Sequence, residues 1–196
     1  MSAQALAAED QARANFYALL ARLFYAPPDR ELLATLAAAD EIAAEGGNQF
    51  FALAWRDLKR EAAATDPEAA REEYESVFVG TGKAMVTLYT SAYTVKTALD
   101  NPLVEIRDFL ASRGVARKRG IHEPEDHVAA LCEVMRHLVT QGTAAVQREF
   151  FEKFLWPAFD PLCDAIAHCD SVSFYRPVAR FAARFFEIEH AAFDME

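Results

Sequence analysis

Apolar residues recur along most of this chain at spacings of three and four, the repeat of one helical face. The pattern is sharpest after Asp126, where Val128, Leu131, Cys132, Met135, Leu138 and Val139 form a single stripe. Ala12, Phe16, Leu19, Leu20 and Leu23 predict a first helix over 4–25, stopped by Pro27-Pro28. Asp29 is placed to cap a second, running through Leu32, Leu33, Leu36 and Ile42 to Gly46-Gly47. A third is expected over 49–64, with Phe50, Leu53, Ala54 and Leu58 facing inward. Asp66-Pro67 is a cap followed by proline at the first helical position, opening a fourth to about Phe78, with Tyr74, Val77 and Phe78 on its buried side. Helix returns over 94–100 and again after Asn101-Pro102, through Val104, Ile106, Phe109 and Leu110. Residues 143–155 form the next helix; Pro157 breaks it, and Pro161 restarts the chain toward Cys169. The last carries Phe174, Val178, Phe181, Phe185 and Ile188 on one face and Arg180, Arg184 and Glu187 on the other. No alternating strand pattern of useful length interrupts this. The fold class is therefore all-α, a single bundle-like domain over 1–196 with about eight or nine helices.

Three stretches depart from plain amphipathic helix. Pro124 is expected at the first position of the central helix, with Glu123, Glu125 and Asp126 in a first turn whose dipole favours negative charge. Asp126 and His127 there make an acid–imidazole pair at a helix mouth. Residues 80–93 lack helical period yet hold Met85, Val86, Leu88, Tyr89 and Tyr93, more apolar surface than a solvated linker carries. Residues 112–122 form a basic connector with two glycines, Gly114 and Gly120, and read as a hinge. Such a hinge lets one half exchange between protomers, so a monomer with a minor domain-swapped dimer is expected.

Composition narrows the function. The formal net charge of −10 argues against nucleic acid and anionic membrane as partners and is compatible with a basic peptide. Cys132, Cys163 and Cys169 show no CxxC spacing and no disulfide framework, which suits a reducing cytoplasm. The first residues lack the basic start and apolar run of a secretory signal, and no stretch is long and apolar enough for membrane insertion. His122-Glu123 and His127 are spaced one residue too far apart for a zinc HExxH helix, with Pro124 between them, so no metal is expected. Gly80-Thr-Gly-Lys83 lacks the spacing of a phosphate loop. Arg117, Lys118 and Arg119 sit in the basic connector, where an anion or nucleotide could be held. No nucleophile–base arrangement can be assembled from the sequence. An enzyme reading, a small-molecule or nucleotide hydrolase, would have to rest on Asp126 and His127 as acid and base.

Four blocks of residues are familiar in this order: Tyr74-x-x-x-Phe78-x-Gly80-x-Gly82; Leu88-Tyr89-Thr-Ser91-Ala-Tyr93; Glu123-Pro-Glu-Asp126-His127; and Phe151-x-x-Phe154-Leu155-x-Pro157 with Ser173-x-Tyr175 and Phe185-x-x-x-Glu189. Together the chain resembles the TorD/DmsD/NarJ family of redox-enzyme maturation chaperones, on the TorD/DmsD side. It departs from the usual pattern at Thr81, where the family commonly has proline, and at Leu88-Tyr89, where it has proline and often a large aromatic. The resemblance implies an all-helical cytoplasmic chaperone, not an enzyme, with no cofactor of its own beyond weak guanine-nucleotide binding. Its partners would be the twin-arginine signal peptide and the apo catalytic subunit of a molybdopterin oxidoreductase, held until the cofactor is inserted and export is permitted. The resemblance assigns peptide binding to Tyr74, Phe78, Gly80, Gly82, Leu88, Tyr89, Ser91, Tyr93, Glu123, Asp126 and His127.

Overall fold

The computed structural model of the chain describes residues 6–44, 47–97, 99–116 and 123–195. The described residues are helical, without a strand; one isolated antiparallel bridge pairs Tyr89 with His127. The chain divides into two compact units, each assembled from two separate segments: Met1–Phe24 with Leu88–Ala158, and Tyr25–Thr87 with Phe159–Glu196. Among the described residues no helix is long and apolar enough to cross a membrane.

The first unit holds most of α1 (Ala8–Tyr25), the short α5 (Ser91–Thr94), α6 (Pro102–Ser112), α7 (Val128–Gln141) and α8 (Ala144–Phe150). The stripe read from the sequence is the buried face of α7: Val128, Leu131, Cys132, Met135, Leu138 and Val139 are all in the core. Asn101 caps α6 by accepting from the Val104 N–H. Phe109 of α6 packs its ring against Phe150 and Phe154. The buried Gln147 ties three helices, accepting from Arg13 of α1 and donating to the Leu138 carbonyl of α7.

After α8 the chain passes through a π-helical turn, Phe151–Leu155, into α9 (Trp156–Ala167) without a break. The break expected at Pro157 is therefore absent. The Trp156 N–H reaches back to the Phe151 carbonyl, one residue further than in an α-helix. Pro157, which has no N–H to give, thus falls where the ladder changes register.

The second unit holds α2 (Arg30–Ala38), α3 (Gln49–Ala64), α4 (Pro67–Tyr74), most of α9, and α10 (Tyr175–Met195). Asp29 caps α2 and Asp66 caps α4, each accepting main-chain N–H groups as their positions foretell. α2 ends at Ala38 instead of running through Ile42. The Trp55 indole of α3 donates to the Asp40 carbonyl and Lys59 pairs with Glu41, which draws this stretch along α3 in extended form. The buried face of α3 takes in Ala54 and Leu58 as expected, but Phe51 and Trp55 hold the places given to Phe50 and Leu53. Phe51 stacks on Phe181 of α10 and Trp55 meets the same ring at a tilt, while Phe50 is 62% and Leu53 43% exposed. Ile188 of α10 is likewise on the outside, 40% exposed.

Candidate functional site

α7 does not begin at Pro124. It begins at Val128, and its cap is His127, whose Nδ1 accepts the Ala129 N–H at 3.2 Å. Pro124, Glu125 and Asp126 form a turn ahead of the helix, so the three acids lie outside the first helical turn in which the sequence put them. The reason is a competing set of bonds. The Asp126 carbonyl accepts from the Thr90 N–H at 2.8 Å and from the Thr90 hydroxyl at 3.0 Å, and the Val128 N–H donates to the Leu88 carbonyl at 2.9 Å. These bonds hold the chain extended at His127, opposite Tyr89, until the helix can start. The predicted helix over 94–100 is missing as well: α5 stops at Thr94, and the Asp100 carboxylate gathers the N–H groups of Lys96 and Thr97 into an irregular turn.

Around this bridge the side chains of the acidic turn each meet a donor from a different place. The Tyr89 hydroxyl donates to Glu123 Oε2 at 2.7 Å. The Ser91 hydroxyl donates to Asp126 Oδ2. Arg107 of α6 pairs through its Nε with Glu125 Oε2 at 2.9 Å. Asp126 is only 5% exposed and His127 6%, whereas Tyr89 is 38% exposed. The Tyr89 ring stands edge-on to the His127 imidazole, centroids 5.3 Å apart.

Electrostatics follow from this arrangement. Hydroxyl donors are neutral, so the Tyr89 and Ser91 bonds leave the charge of each carboxylate in place. The phenol of Tyr89 registers it: the bond to Glu123 first, then burial and the charges of Glu123 and Asp126, push its pKa up to about 12. Burial lowers the pKa of His127 against the opposing pull of Glu123 and Asp126, so the imidazole is neutral at physiological pH. With Nδ1 accepting from Ala129, the proton of the neutral ring sits on Nε2.

The structure thus brings together Tyr89, Ser91, Glu123, Asp126 and His127, all in the first unit. Leu88 adds its carbonyl to the bridge while its side chain is buried, and Tyr93 of α5 is partly exposed nearby in sequence. Tyr74, Phe78, Gly80 and Gly82 belong to the second unit. There Tyr74 and Phe78 are buried against Tyr175, and the Glu73 carboxylate accepts the N–H groups of Phe174 and Tyr175 at the start of α10. Gly80 closes the π-helical turn Glu75–Val79 that extends α4. Its φ of +64° with ψ of 167°, and the Lys83 carbonyl oxygen 2.3 Å from where a Cβ would stand, leave room for glycine alone. Gly82 has φ of +110° in open space. Arg117, Lys118, Arg119 and His122 lie outside the described residues, as does most of the basic connector. Thr90 and Arg107 were not singled out from the sequence. Their partners lie about 20 to 40 residues away, a separation at which helical period carries no signal.

Comparison with other proteins follows the same lines. The family described as nitrate reductase delta subunit matches residues 45–164, a span that includes every candidate residue from Tyr74 to His127. Two relatives, each described as chaperone protein TorD, are similar. That of Aliivibrio fischeri is 24% identical over 60% of this chain and 60% of its own length. That of Vibrio cholerae is 27% identical over 62% of this chain and 61% of its own. The chain therefore spans about 60% of the length of the curated relatives it matches. In fold it is similar to a crystal structure described as a redox enzyme maturation protein from Archaeoglobus fulgidus, with a TM-score of 0.59 over 95% of this chain and 98% of that one at 15% identity.

Proposed function

The chain belongs to the nitrate reductase delta subunit family, and from that premise we propose that it is a cytoplasmic chaperone of redox-enzyme maturation. It captures the twin-arginine signal peptide of a molybdopterin oxidoreductase and holds the apo catalytic subunit until the cofactor is in place. The observation that carries this reading is the turn 123–126, where the Glu123 and Asp126 carboxylates stand beside a neutral His127 and the half-open ring of Tyr89. A peptide with adjacent arginines and an apolar run needs such a pairing of negative charge with an apolar, partly open wall. Arginine suits it better than lysine, because a planar guanidinium can reach two carboxylate oxygens at once.

The enzyme alternative draws no support from the same geometry. Asp126 gives its carboxylate to Ser91 and His127 gives Nδ1 to Ala129, so neither orients the other as acid and base. The test is calorimetric titration of the protein with a synthetic peptide carrying two adjacent arginines ahead of an apolar run, beside the same peptide with both arginines replaced by lysine. Saturable binding of the first, and weaker binding of the second, is expected. No saturable heat with either would overturn the proposal.

A further inference from the structure

α7 is capped by an imidazole, where serine, threonine, aspartate and asparagine are the usual caps. None of those four changes its charge near neutral pH; a histidine does. In His127 the nitrogen that would take up the proton is the one that caps. Nε2 already carries the ring proton, and Nδ1 accepts the Ala129 N–H at 3.2 Å. A second proton, on Nδ1, would set two donors against each other and end that bond. The ring is 6% exposed, with the Tyr89 ring edge-on to it, so it cannot turn aside without moving its neighbours. The main chain of the same residue joins two segments of the first unit. His127 pairs with Tyr89 in the isolated bridge. To one side of it the Thr90 N–H donates to the Asp126 carbonyl, and to the other the Val128 N–H donates to the Leu88 carbonyl.

We propose that His127 is a proton-operated latch: the neutral ring holds residues 88–90 against the start of α7, and protonation at Nδ1 releases them. The surroundings set the direction. Among the described residues, Glu123 and Asp126 of the turn draw a proton toward the ring, while burial opposes it and is the larger effect. The phenol of Tyr89, from the facing segment, stays neutral throughout this range, and Glu125, between the two acids, is paired with Arg107 of α6. The positive end of the α7 dipole disfavours a cation at this place as well. The fastened form therefore excludes the proton, and acid favours the released form. Release takes Tyr89 and Ser91 away from Glu123 and Asp126, so a peptide captured at the turn is let go on acidification; this consequence alone rests on the function proposed above.

The experiment is amide hydrogen exchange of the whole chain at about pH 7.5 and about pH 5, corrected for the intrinsic pH dependence of exchange, on wild type and His127→Asn. Asparagine is a good helix cap that does not titrate, so it keeps the fastening and removes the switch. Melting curves at both pH values confirm that each protein is folded. In wild type the Thr90, Val128 and Ala129 amides should lose protection in acid by up to about thirtyfold, the factor by which an imidazole of ordinary pKa favours its protonated form at about pH 5. Amides in the middle of α7, such as that of Met135, should keep theirs. In His127→Asn the same three amides should stay protected at both pH values. Unchanged protection of the three in wild type would overturn the inference. So would an equal loss in His127→Asn, which would assign the effect to the carboxylates of Glu123 and Asp126. Titration with the twin-arginine peptide at the same two pH values reads the consequence: affinity should fall in acid for wild type and fall less for His127→Asn. If exchange behaves as expected while the peptide binds at neither pH, the proposed function is lost and the latch stands.

Discussion

Replacing Asp126 with asparagine separates a carboxylate that binds from one that merely fastens. The side chain is 5% exposed, and its Oδ2 accepts from the Ser91 hydroxyl. Asparagine keeps the shape and an acceptor oxygen, so the bond weakens and is not lost. A hydrogen bond to a charged group contributes about 1.5–3 kcal/mol and a neutral one about 0.5–1.5, a difference near 1 kcal/mol. The two bonds from Thr90 go to the main-chain carbonyl of Asp126 and are untouched. In a chain of this size about 1 kcal/mol lowers the melting temperature by about 2–4 °C. Loss of a desolvated partner for an arginine costs far more, about 2–5 kcal/mol of affinity, and each 1.4 kcal/mol is tenfold. Asp126→Asn should therefore weaken twin-arginine peptide binding at least tenfold while melting only slightly lower. Ser91→Ala is the reciprocal variant. It keeps the charge but removes its donor, so it should cost about 1–3 kcal/mol of stability and leave affinity within about threefold. Titration calorimetry beside melting curves reads both quantities. If Asp126→Asn binds as well as wild type while both variants melt lower, Asp126 only anchors the segment 88–91, and the binding argument is wrong.

Three further outcomes follow from the same geometry. Tyr89 should ionise late in an alkaline ultraviolet titration, near pH 12, alongside Tyr175, whose phenol burial also pushes well above its ordinary value. Glu123→Gln should bring the Tyr89 transition back toward the ordinary value of about 10 and leave Tyr175 late, so an unchanged late phase in the variant would contradict the Tyr89–Glu123 bond. The pKa of His127 is lowered on folding, so below about pH 6.5 the unfolded chain binds the extra proton and the folded one does not. Urea stability should then fall as pH drops through that value, and His127→Gln should flatten this part of the curve and weaken the peptide mildly. An unchanged slope in the variant would assign the effect elsewhere. Gly80→Ala should destabilise by more than the roughly 1–3 kcal/mol of backbone strain alone, since the new Cβ meets the Lys83 carbonyl. Gly82→Ala, with open space around it, should show the strain alone, so equal melting points for the two would refute the clash.

Where local chemistry decides structure, the sequence was readable. The α7 stripe and the caps Asp29 and Asp66 depend on residues within one or two turns of each other, and each is found as expected. The departures come from distant partners. Phe50 and Phe51 are adjacent aromatics on α3, and either could lead an inward stripe. Phe181 and Phe185 of α10 select Phe51, and no spacing within α3 contains that information. α2 stops early because a tryptophan of the next helix claims the Asp40 carbonyl. Pro157 was expected to break a helix because proline lacks a donor, but a widened turn immediately before it absorbs the loss.

The candidate site shows the same division more sharply. Its residue types were legible as an acidic run beside an aromatic loop, but their joining was not, because the bonds from Tyr89, Thr90 and Ser91 reach partners 34 to 36 positions along the chain. Propensity placed Pro124 at the helix start and the acids in its first turn; the bridge to 88–90 overrides this, since it satisfies main-chain groups that a longer helix would have satisfied differently. That override has a functional consequence. Acids inside a helical first turn would be answered by its N–H groups and dipole. Held ahead of the helix, with His127 doing the capping, Glu123 accepts from the Tyr89 hydroxyl and Asp126 from that of Ser91, while the main chain of Asp126 does the fastening. The fold thus gives the fastening of this turn to its main chain, and the proposed function gives its carboxylates to the cationic peptide.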